Sequence, residues 1–284
     1  ILFFANNKKI LIVTDNIAKY YALDIDTGEL LWSKINTAPF NSQIKIFKDK
    51  FFVVDFTNTL RAYSLYNGKE IWSVETDKSL IRSQKKLSLV IINKTIFFNN
   101  SLGDISAVDI KAGELIWQIP TQNSLIYEDS FFLKTSEIVS DKKSLYLSNN
   151  KNEFFSIDIN SGTTNWNQAI NSNLLPALIE NYIFTITLEG YFTIIDKNSG
   201  NIIRNTDIFS NFKKKHRKNI KPTGFIVGND SIFVTTSNGK LLVIDIATSI
   251  NKNIIKIDND KISRPIIINQ SLYIIKNNSI IKMD

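Results

Sequence analysis

Residues 22–32 read Ala-Leu-Asp-Ile-Asp-Thr-Gly-Glu-Leu-Leu-Trp, and the same pattern returns at residues 62–72, 107–117 and 156–166. All four tryptophans of the protein stand at the last position of this pattern. A motif that returns at intervals of about 40 residues is typical of a repeat architecture, in which each unit stacks on its neighbours. The spacing therefore predicts one continuous array along the 284 residues, rather than two unrelated domains.

Each copy is numbered from an anchor, which lies four residues before the glycine and eight before the tryptophan. The repeat residues of the four complete copies are Asp24, Gly28, Trp32, Gly68, Trp72, Asp109, Gly113, Trp117, Asp158, Gly162 and Trp166, with Ser64 at the second anchor. Two less complete copies keep Asp196, Gly200 and Asp245, but they have Arg204 and Asn253 in place of tryptophan. Asp284 stands at a seventh anchor.

A second fixed position lies six residues before each anchor and predicts a tight turn. It is occupied by Ala18, Asn58, Gly103, Asn152, Gly190, Gly239 and Asn278. Glycine and asparagine tolerate the positive φ that such turns need. Short apolar and β-branched runs flank this turn and the turn at the anchor, so each unit is predicted to contain four short antiparallel strands. The predicted units are residues 1–36, 37–75, 76–120, 121–168, 169–207, 208–257 and 258–284.

Units of this kind favour an all-β fold, and the β-propeller of four-stranded blades is favoured over a flat solenoid. The seventh unit ends after its third predicted strand. A closed ring usually completes such a sheet with a strand from the N-terminus, which removes an exposed edge. We therefore expect residues 1–284 to form a single propeller domain with seven repeat units.

The tryptophans correlate with a small residue two positions before the anchor. Copies with tryptophan carry Ala22, Ala62, Ala107 and Ser156 at that position, and copies without it carry Ile194 and Val243. A large ring over a small neighbour roughly conserves volume relative to two mid-sized groups. We predict that each tryptophan is buried near its small residue, across the seam between neighbouring units.

The net charge of +7 and a pI of about 9.3 could indicate nucleic acid, an anionic membrane surface or an acidic partner. The chain is rich in lysine, asparagine and isoleucine throughout, which by itself can account for the excess. One basic cluster stands out, with Lys213, Lys214, Lys215, Arg217 and Lys218 around the single histidine. It predicts either a solvated loop or a docking surface for acidic protein or anionic headgroups. Nucleic acid is disfavoured, because no aromatic residues are interleaved for base stacking.

The sequence offers no catalytic pattern. Cysteine is absent, which excludes disulfides, thiolate metal sites and a cysteine nucleophile in this segment. The glycines are isolated, so no phosphate-binding loop is present. The regular recurrence of the anchor aspartates indicates that they bond the amides of their own turns. We predict no catalytic, cofactor-binding or metal-binding residues, and no run is long and apolar enough for a transmembrane helix.

The motif Ala-Leu-Asp-x-x-Thr-Gly-x-x-x-Trp resembles the repeat of quinoprotein-type β-propellers, over nearly the whole chain. One branch contains quinone-dependent alcohol dehydrogenases, whose members hold pyrroloquinoline quinone and calcium beside a vicinal cysteine pair that this chain lacks. The other branch is the BamB family, which are non-catalytic lipoproteins of the outer-membrane β-barrel assembly complex. Residues 174–204 and 262–284 are similar to later blades of that branch, and residues 212–228 resemble the connection before the penultimate blade in its α-proteobacterial members.

This resemblance carries expectations about the parts of the protein and its partners. Members usually have eight blades, so we expect a first blade, a signal peptide and a lipobox cysteine upstream of residue 1. The family contacts BamA through an aliphatic–arginine pair in an inter-blade loop. Residues 79–82 match that pair loosely, which implies Ile81 and Arg82 as partner-binding residues.

The resemblance implies a scaffold that binds the POTRA domains of BamA, barrel precursors or both. It would lie on the periplasmic side of the outer membrane, associated with the membrane only through an upstream lipid anchor, and would bind no cofactor and no nucleic acid. Two alternatives remain open. One is a pyrroloquinoline-quinone-dependent oxidoreductase, and the other is a propeller scaffold of a different periplasmic complex.

Overall fold

The computed structural model describes residues 2–77, 86–121 and 132–284. These residues form antiparallel sheets, six of four strands and one of three, and a single four-residue helix. Strands that follow one another in sequence are neighbours in every sheet. The prediction of an all-β chain built from repeated antiparallel units is confirmed.

The first three sheets are each built from one repeat. Sheet 1 contains β1 (Leu2–Asn6), β2 (Ile10–Asp15), β3 (Lys19–Asp24) and β4 (Leu30–Ile35); sheet 2 contains β5 (Lys45–Phe47), β6 (Lys50–Val54), β7 (Thr59–Ser64) and β8 (Glu70–Glu75); sheet 3 contains β9 (Leu89–Ile92), β10 (Thr95–Asn99), β11 (Ile105–Asp109) and β12 (Leu115–Ile119). Each anchor is thus the last residue of the third strand.

The same plan continues in the second half of the chain. Sheet 4 contains β13 (Val139–Ser140), β14 (Ser144–Asn149), β15 (Glu153–Asp158) and β16 (Thr164–Gln168); sheet 5 contains β17 (Ala177–Ile179), β18 (Tyr182–Ile186), β19 (Tyr191–Asp196) and β20 (Ile202–Asp207); sheet 6 contains β21 (Pro222–Val227), β22 (Ser231–Thr236), β23 (Lys240–Asp245) and β24 (Asn251–Lys256); sheet 7 contains β25 (Ile266–Ile268), β26 (Ser271–Lys276) and β27 (Ser279–Met283). The helix α1 (Lys214–Arg217) lies between sheets 5 and 6 in the sequence.

The sheets belong to two compact units. One contains sheets 1 to 3 together with the turn Asp158–Thr163, and the other contains Thr135–Ile157 and Thr164–Asp284. Within each unit the buried apolar clusters draw on neighbouring sheets. Phe3 and Tyr20 of sheet 1 cluster with Phe51 of sheet 2, for example. The stability of each sheet therefore depends on the sheet beside it, as expected for stacked repeats.

Burial changes from strand to strand within a sheet. The second strands of sheets 2 to 5 are buried on both faces after their first residue: Phe51, Phe52, Val53 and Val54 of β6 are all inaccessible to solvent. The fourth strands alternate between exposed and half-buried residues, as in β8. This difference explains why the second strands read as continuous apolar runs, while only the tryptophan stands out in the fourth.

The predicted turns are present. All seven residues that lie six positions before an anchor have positive φ, from 61° at Asn58 to 92° at Gly190. The residues four positions after the first six anchors do so as well, including Ser249 at 61°. The tolerance of glycine and asparagine for this conformation is the physical reason that these positions recur.

Replacement of Ala18 by glycine is expected to raise the free energy of unfolding by roughly 0.5–1 kcal/mol, because Cβ strain in the left-handed region exceeds the entropic cost of glycine. Ala18 has φ of 72° and is the one member of its set that is neither glycine nor asparagine. Urea unfolding would measure the change. The control is Ala38→Gly, since Ala38 is also buried but is not among the residues with positive φ. A similar loss of stability in both variants would contradict the prediction.

Candidate protein-binding surface

The anchor carboxylates are occupied by their own turns. Asp24 Oδ1 accepts hydrogen bonds from the backbone N–H groups of Asp26 at 3.0 Å and Thr27 at 2.9 Å. Asp109, Asp158 and Asp196 make the same pair of bonds two and three residues ahead. This is the turn bonding that the sequence predicts, and it leaves these carboxylates no role as an acid–base pair.

The same bonds lower the pKa of the anchor aspartates. The backbone N–H of Thr27 holds the pKa of Asp24 below its ordinary value. In Asp245 the backbone N–H of Thr248, followed by the Lys252 ammonium, lowers the pKa to about 2. A general acid needs a raised pKa near the working pH, so the shift runs in the wrong direction for acid catalysis.

Each tryptophan ring packs on the turn glycine of the following repeat. A Cβ added to Gly113 would lie 2.6 Å from Trp72 Cδ2, and one added to Gly200 would lie 2.6 Å from Trp166 Cδ2. Gly68 and Gly162 meet Trp32 and Trp117 in the same way. The tryptophan ring of one repeat and the turn glycine of the next therefore form complementary surfaces on the two sides of a seam.

Three of the four indoles also bond the next turn. Trp32 Nε1 donates to the carbonyl of Leu65 at 3.1 Å, Trp117 Nε1 to Ile159 at 3.2 Å and Trp166 Nε1 to Lys197 at 3.0 Å. The acceptor is in each case the residue after the next anchor. Trp72 is different, because its buried Nε1 has no hydrogen-bond partner among the described residues.

The correlation with small residues has a direct explanation. Ala22 and Trp32 are cross-strand partners in β3 and β4, and Ala62 and Trp72 are partners in β7 and β8. Where tryptophan is absent, Ile194 lies opposite Arg204. The predicted proximity is present, but the rings are half-buried rather than part of the core. Each tryptophan stands on the edge strand of its sheet, where burial is incomplete.

The seam between sheets 5 and 6 has no tryptophan, but a side chain at the same position still bonds the next turn. Arg204 occupies the tryptophan position, and its Nη1 donates to the carbonyl of Ala247 and to Ser249 Oγ. Ser249 stands where the other repeats have glycine. The Arg204 guanidinium thus replaces the tryptophan ring, and the Ser249 hydroxyl replaces the bare backbone of glycine. The Arg204–Ser249 pair and the tryptophan–glycine pairs each link one repeat to the next turn.

A third recurring position was missed by the sequence reading. Nine residues before the first six anchors stand Asp15, Asp55, Asn100, Asn149, Thr187 and Thr236, and each side-chain oxygen accepts a bond from backbone N–H groups of the turn that follows. The constant distance from the anchor was the available signal. The residue type at this position varies among aspartate, asparagine and threonine, so no single residue recurs, although all three supply an acceptor oxygen.

Asp55 does more than hold its turn. Its carboxylate is fully buried and lies 2.7 Å from Arg61 Nε, whose side chain is 14% exposed. Arg61 Nη1 also lies 2.8 Å from Glu70 Oε2, and Nη2 donates to Thr37 Oγ1. This buried charge network belongs to the framework of sheet 2.

The basic cluster predicted at residues 213–218 forms part of a connecting loop and helix α1. Lys213, Lys214, Lys215 and Lys218 are exposed. Arg217 instead stabilises the loop: Nη1 contacts Asp207 Oδ2 at 2.9 Å, and Nε donates to the Phe212 carbonyl at 2.8 Å. The four lysines are therefore the part of this cluster that a partner can reach, and Arg217 holds their loop in place.

A second accessible surface consists of apolar side chains on the fourth strands. At the start of β4, Leu30 is 58% exposed and Leu31 is 48% exposed. At the start of β20, Ile202 is 44% exposed and Ile203 is 55% exposed. Each of these strands is an edge of its sheet. Unpaired edges with apolar side chains are templates for pairing with another strand.

The described residues show neither a metal cluster nor a membrane span. No three acidic or histidine side chains converge on a point where an ion could be held, within residues 2–77, 86–121 and 132–284. In the same ranges, the structure has no helix with the length and apolar character to cross a membrane.

Comparison with known families decides the class. The family model described as outer membrane protein assembly factor BamB matches residues 3–206, which is most of the chain. The chain belongs to the BamB family. A curated relative, the outer membrane protein assembly factor BamB of Shewanella oneidensis, is 21% identical over 78% of this chain and 65% of its own length. The chain thus spans less than two thirds of that relative.

Solved structures place the fold. The crystal structure of BamB from Moraxella catarrhalis superposes with a TM-score of 0.80 at 14% identity, covering 99% of this chain and 83% of that chain. The predicted β-propeller class, with seven repeat units, is confirmed by this match. A computationally designed protein, Ika8, reaches 0.69 at 14% identity, covering 95% and 79%, and a chain of the mitotic checkpoint complex reaches 0.68 at 12%, covering 99% and 87%. Such different proteins share the fold, so function must be argued from the BamB family and the surface.

The partner-binding pair implied by the BamB resemblance cannot be placed. Ile81 and Arg82 lie outside the described residues. They are separate in sequence from the basic cluster at residues 213–218, and their assignment rests on the sequence resemblance alone.

Proposed function

We propose that this chain is a non-catalytic, protein-binding scaffold of the outer-membrane β-barrel assembly machinery. The match of the BamB family model to residues 3–206 carries the proposal. The use of the repeated side chains supports it. The anchor aspartates, turn glycines and tryptophans bond turns and seams, so they build a rigid support for loops rather than a reactive centre.

Two partners fit a scaffold of this kind. The first is the set of POTRA domains of BamA, contacted by Ile81 and Arg82 and supplemented by the exposed lysines at 213–218. The second is an unfolded barrel precursor, whose strands can pair with an edge strand. In our proposal the protein works on the periplasmic side of the outer membrane, and a signal peptide and lipidated cysteine lie upstream of residue 1.

Strand addition is the mechanism that the fourth strands support. β4 and β20 each expose consecutive apolar side chains beside an unpaired backbone edge. Backbone hydrogen bonds supply affinity in this mode, and side chains at alternate positions supply selectivity. A barrel strand with alternating apolar residues is complementary to such an edge.

Retention of purified BamA POTRA domains by the immobilised protein tests the proposal. The double variant Ile81→Asp/Arg82→Glu is expected to reduce the affinity by at least about tenfold, as for a central contact pair. A second variant changes Lys213, Lys214, Lys215 and Lys218 to glutamate and keeps Arg217, so that the loop retains its Asp207 contact. The matched control changes four exposed lysines elsewhere to glutamate, namely Lys8, Lys9, Lys142 and Lys143 at hairpins of sheets 1 and 4.

Each outcome removes or supports one part of the proposal. An Arg82→Glu variant that retains POTRA domains at the wild-type level removes the assignment of Ile81 and Arg82. Equal losses in the lysine variant and the control would show that general charge, not the loop, matters. Failure of the wild-type protein to retain either POTRA domains or a barrel-strand peptide would end the scaffold proposal.

A further inference from the structure

A cavity of about 500 Å³ opens between sheets 2 and 3. Its lining includes two apolar residues, Phe47 and Ile110, and four lysines. The lysines are Lys48, Lys50, Lys94 and Lys111, and Asp49 is the single acidic residue in the lining. The cavity therefore combines an apolar floor with a rim of excess positive charge.

The floor belongs to the seam between the two sheets. Ile110 is 6% exposed and clusters with the buried residues of this seam, and Phe47 and Trp72 pack against the same cluster. At the other tryptophan seams, the indole donates to the carbonyl of the residue after the next anchor. The equivalent residue for Trp72 is Ile110, and Trp72 Nε1 has no partner among the described residues. This seam lacks the hydrogen bond that closes the others.

The equivalent positions in sheets 4 and 5 show how a seam can be closed. Asp141 and Lys197 occupy the places of Phe47 and Ile110, counted from their anchors, and form an ion pair at 3.1 Å. In the seam between sheets 2 and 3 both places are apolar, and the nearby charges are mostly of one sign. The floor of this seam therefore has no ion pair of the Asp141–Lys197 kind over it.

The rim has little internal compensation. The salt bridges of the described residues include none from Lys48, Lys50, Lys94 or Lys111. The Lys48 ammonium lies 5.6 Å from the centroid of the Phe47 ring, which places a charge directly over the floor. The backbone N–H of Ala112 holds the pKa of Asp109 low, and Lys111 and Lys94 lower it further, as a local positive potential requires.

We propose that this cavity binds a small organic anion with an apolar body, such as an aryl sulfonate or a medium-chain carboxylate. The apolar body packs on Phe47 and Ile110, and the anionic head lies among the lysines. The volume falls in the range of roughly 300–1,000 Å³ that holds ligands of drug size. Charge-assisted hydrogen bonds to ammonium groups are stronger than neutral ones, so the head contributes much of the affinity.

Anilinonaphthalene sulfonate is the probe, since it joins an aromatic body to one anionic head and fluoresces when desolvated. Phenylnaphthylamine has the same body without the sulfonate, and inorganic sulfate is a head without a body. In the triple variant Lys48→Gln/Lys94→Gln/Lys111→Gln, the affinity for the sulfonate is expected to fall by at least about tenfold, while that for phenylnaphthylamine is unchanged.

The matched control removes three exposed lysines from the equivalent seam between sheets 1 and 2, as Lys8→Gln/Lys9→Gln/Lys69→Gln. Its affinity for the sulfonate should change by less than about twofold, since screening limits distant charges. Phe47→Asn, which copies Asn7 at the corresponding place of sheet 1, should weaken both dyes. This variant tests the floor without changing the charge, so the proposal remains testable if the lysine variant folds poorly.

Three results would overturn the proposal. The first is an equal loss of sulfonate affinity in the two triple variants, and the second is the absence of saturable sulfonate binding by the wild-type protein. The third is that inorganic sulfate displaces bound anilinonaphthalene sulfonate as effectively as unlabelled competitor of the same structure does. The last result would reduce the cavity to a general anion site. These readouts involve neither BamA nor a precursor, so they are independent of the scaffold test.

Discussion

Replacement of Asp55 by alanine is expected to lower the free energy of unfolding by about 3–5 kcal/mol, since it removes both the buried partner of Arg61 and the acceptor of the turn amides. The carboxylate is fully buried, and Arg61 is 14% exposed. The Arg61 guanidinium would keep its contacts to Glu70 and Thr37, but would lose the shortest of its charge contacts. Urea or thermal unfolding of the purified protein measures the loss.

Asp15→Ala is the matched control for this variant. Asp15 stands at the same place in sheet 1 and accepts bonds from the N–H groups of Ile17 and Lys19, but has no arginine contact. Losing such a capping carboxylate costs roughly 0.5–2 kcal/mol in comparable settings. Asp55→Asn should fall between the two alanine variants, because an amide oxygen can still hold the turn. Equal losses for Asp55→Ala and Asp15→Ala would show that the ion pair contributes nothing.

Replacement of Gly113 by alanine is expected to cost about 2–5 kcal/mol, which sums left-handed backbone strain and overpacking against a ring. Gly113 has φ of 74°, and a Cβ there would lie 2.6 Å from Trp72 Cδ2. Neither the turn nor the ring can move freely, because the Asp109 carboxylate holds the turn and the Phe52 ring packs against Trp72, with ring centroids 5.7 Å apart. The effect would be measured as a shift of the urea midpoint.

Gly28→Ala separates the two contributions. Gly28 has the same φ of 74°, but nothing lies within 4 Å of an added Cβ. It should therefore lose only the backbone component, roughly 1–2 kcal/mol. The difference between the two variants is the cost of the collision with the ring.

A double variant gives a further check. In a Trp72→Leu background the Gly113→Ala change should cost less than in the wild type, by roughly 1–3 kcal/mol, because contacting residues are not additive. Full additivity would refute the complementarity of ring and glycine. The same pair of measurements at Gly28 should show no coupling to Trp72.

The local parts of each repeat were predictable from sequence. Positive φ at Asn58 and Gly190, the Asx turn at Asp24 and the order of four strands all follow from residues that are close in the chain. Hydrogen bonds within a turn join residues two to four positions apart, so these bonds appear in the sequence as residues at a fixed spacing. The position nine residues before the anchor was missed because its residue type varies while its chemistry does not.

The tryptophans show where local sequence patterns stop predicting the structure. Their spacing indicates a seam, and the small residues opposite them indicate the cross-strand partner. The glycine on which each ring packs is more than 30 residues away in the chain, and half-burial of the ring depends on how two sheets meet. The sequence pattern could not distinguish a core residue from one at the edge of its sheet.

The sequence alone determined that this is an all-β repeat protein, because short-range periodicity encodes strand alternation and turn chemistry, and its motif resembles the repeat of quinoprotein-type propellers. Only the tertiary structure decided which residues meet across the seams. It paired Arg204 with Ser249, placed Asp55 against Arg61 and left Phe47 and Ile110 as the floor of a lysine-rimmed cavity. The Arg204–Ser249 contact and the cavity floor join neighbouring sheets, so they arise only when the sheets stack, while the Asp55–Arg61 pair depends on the burial of its hairpin in sheet 2.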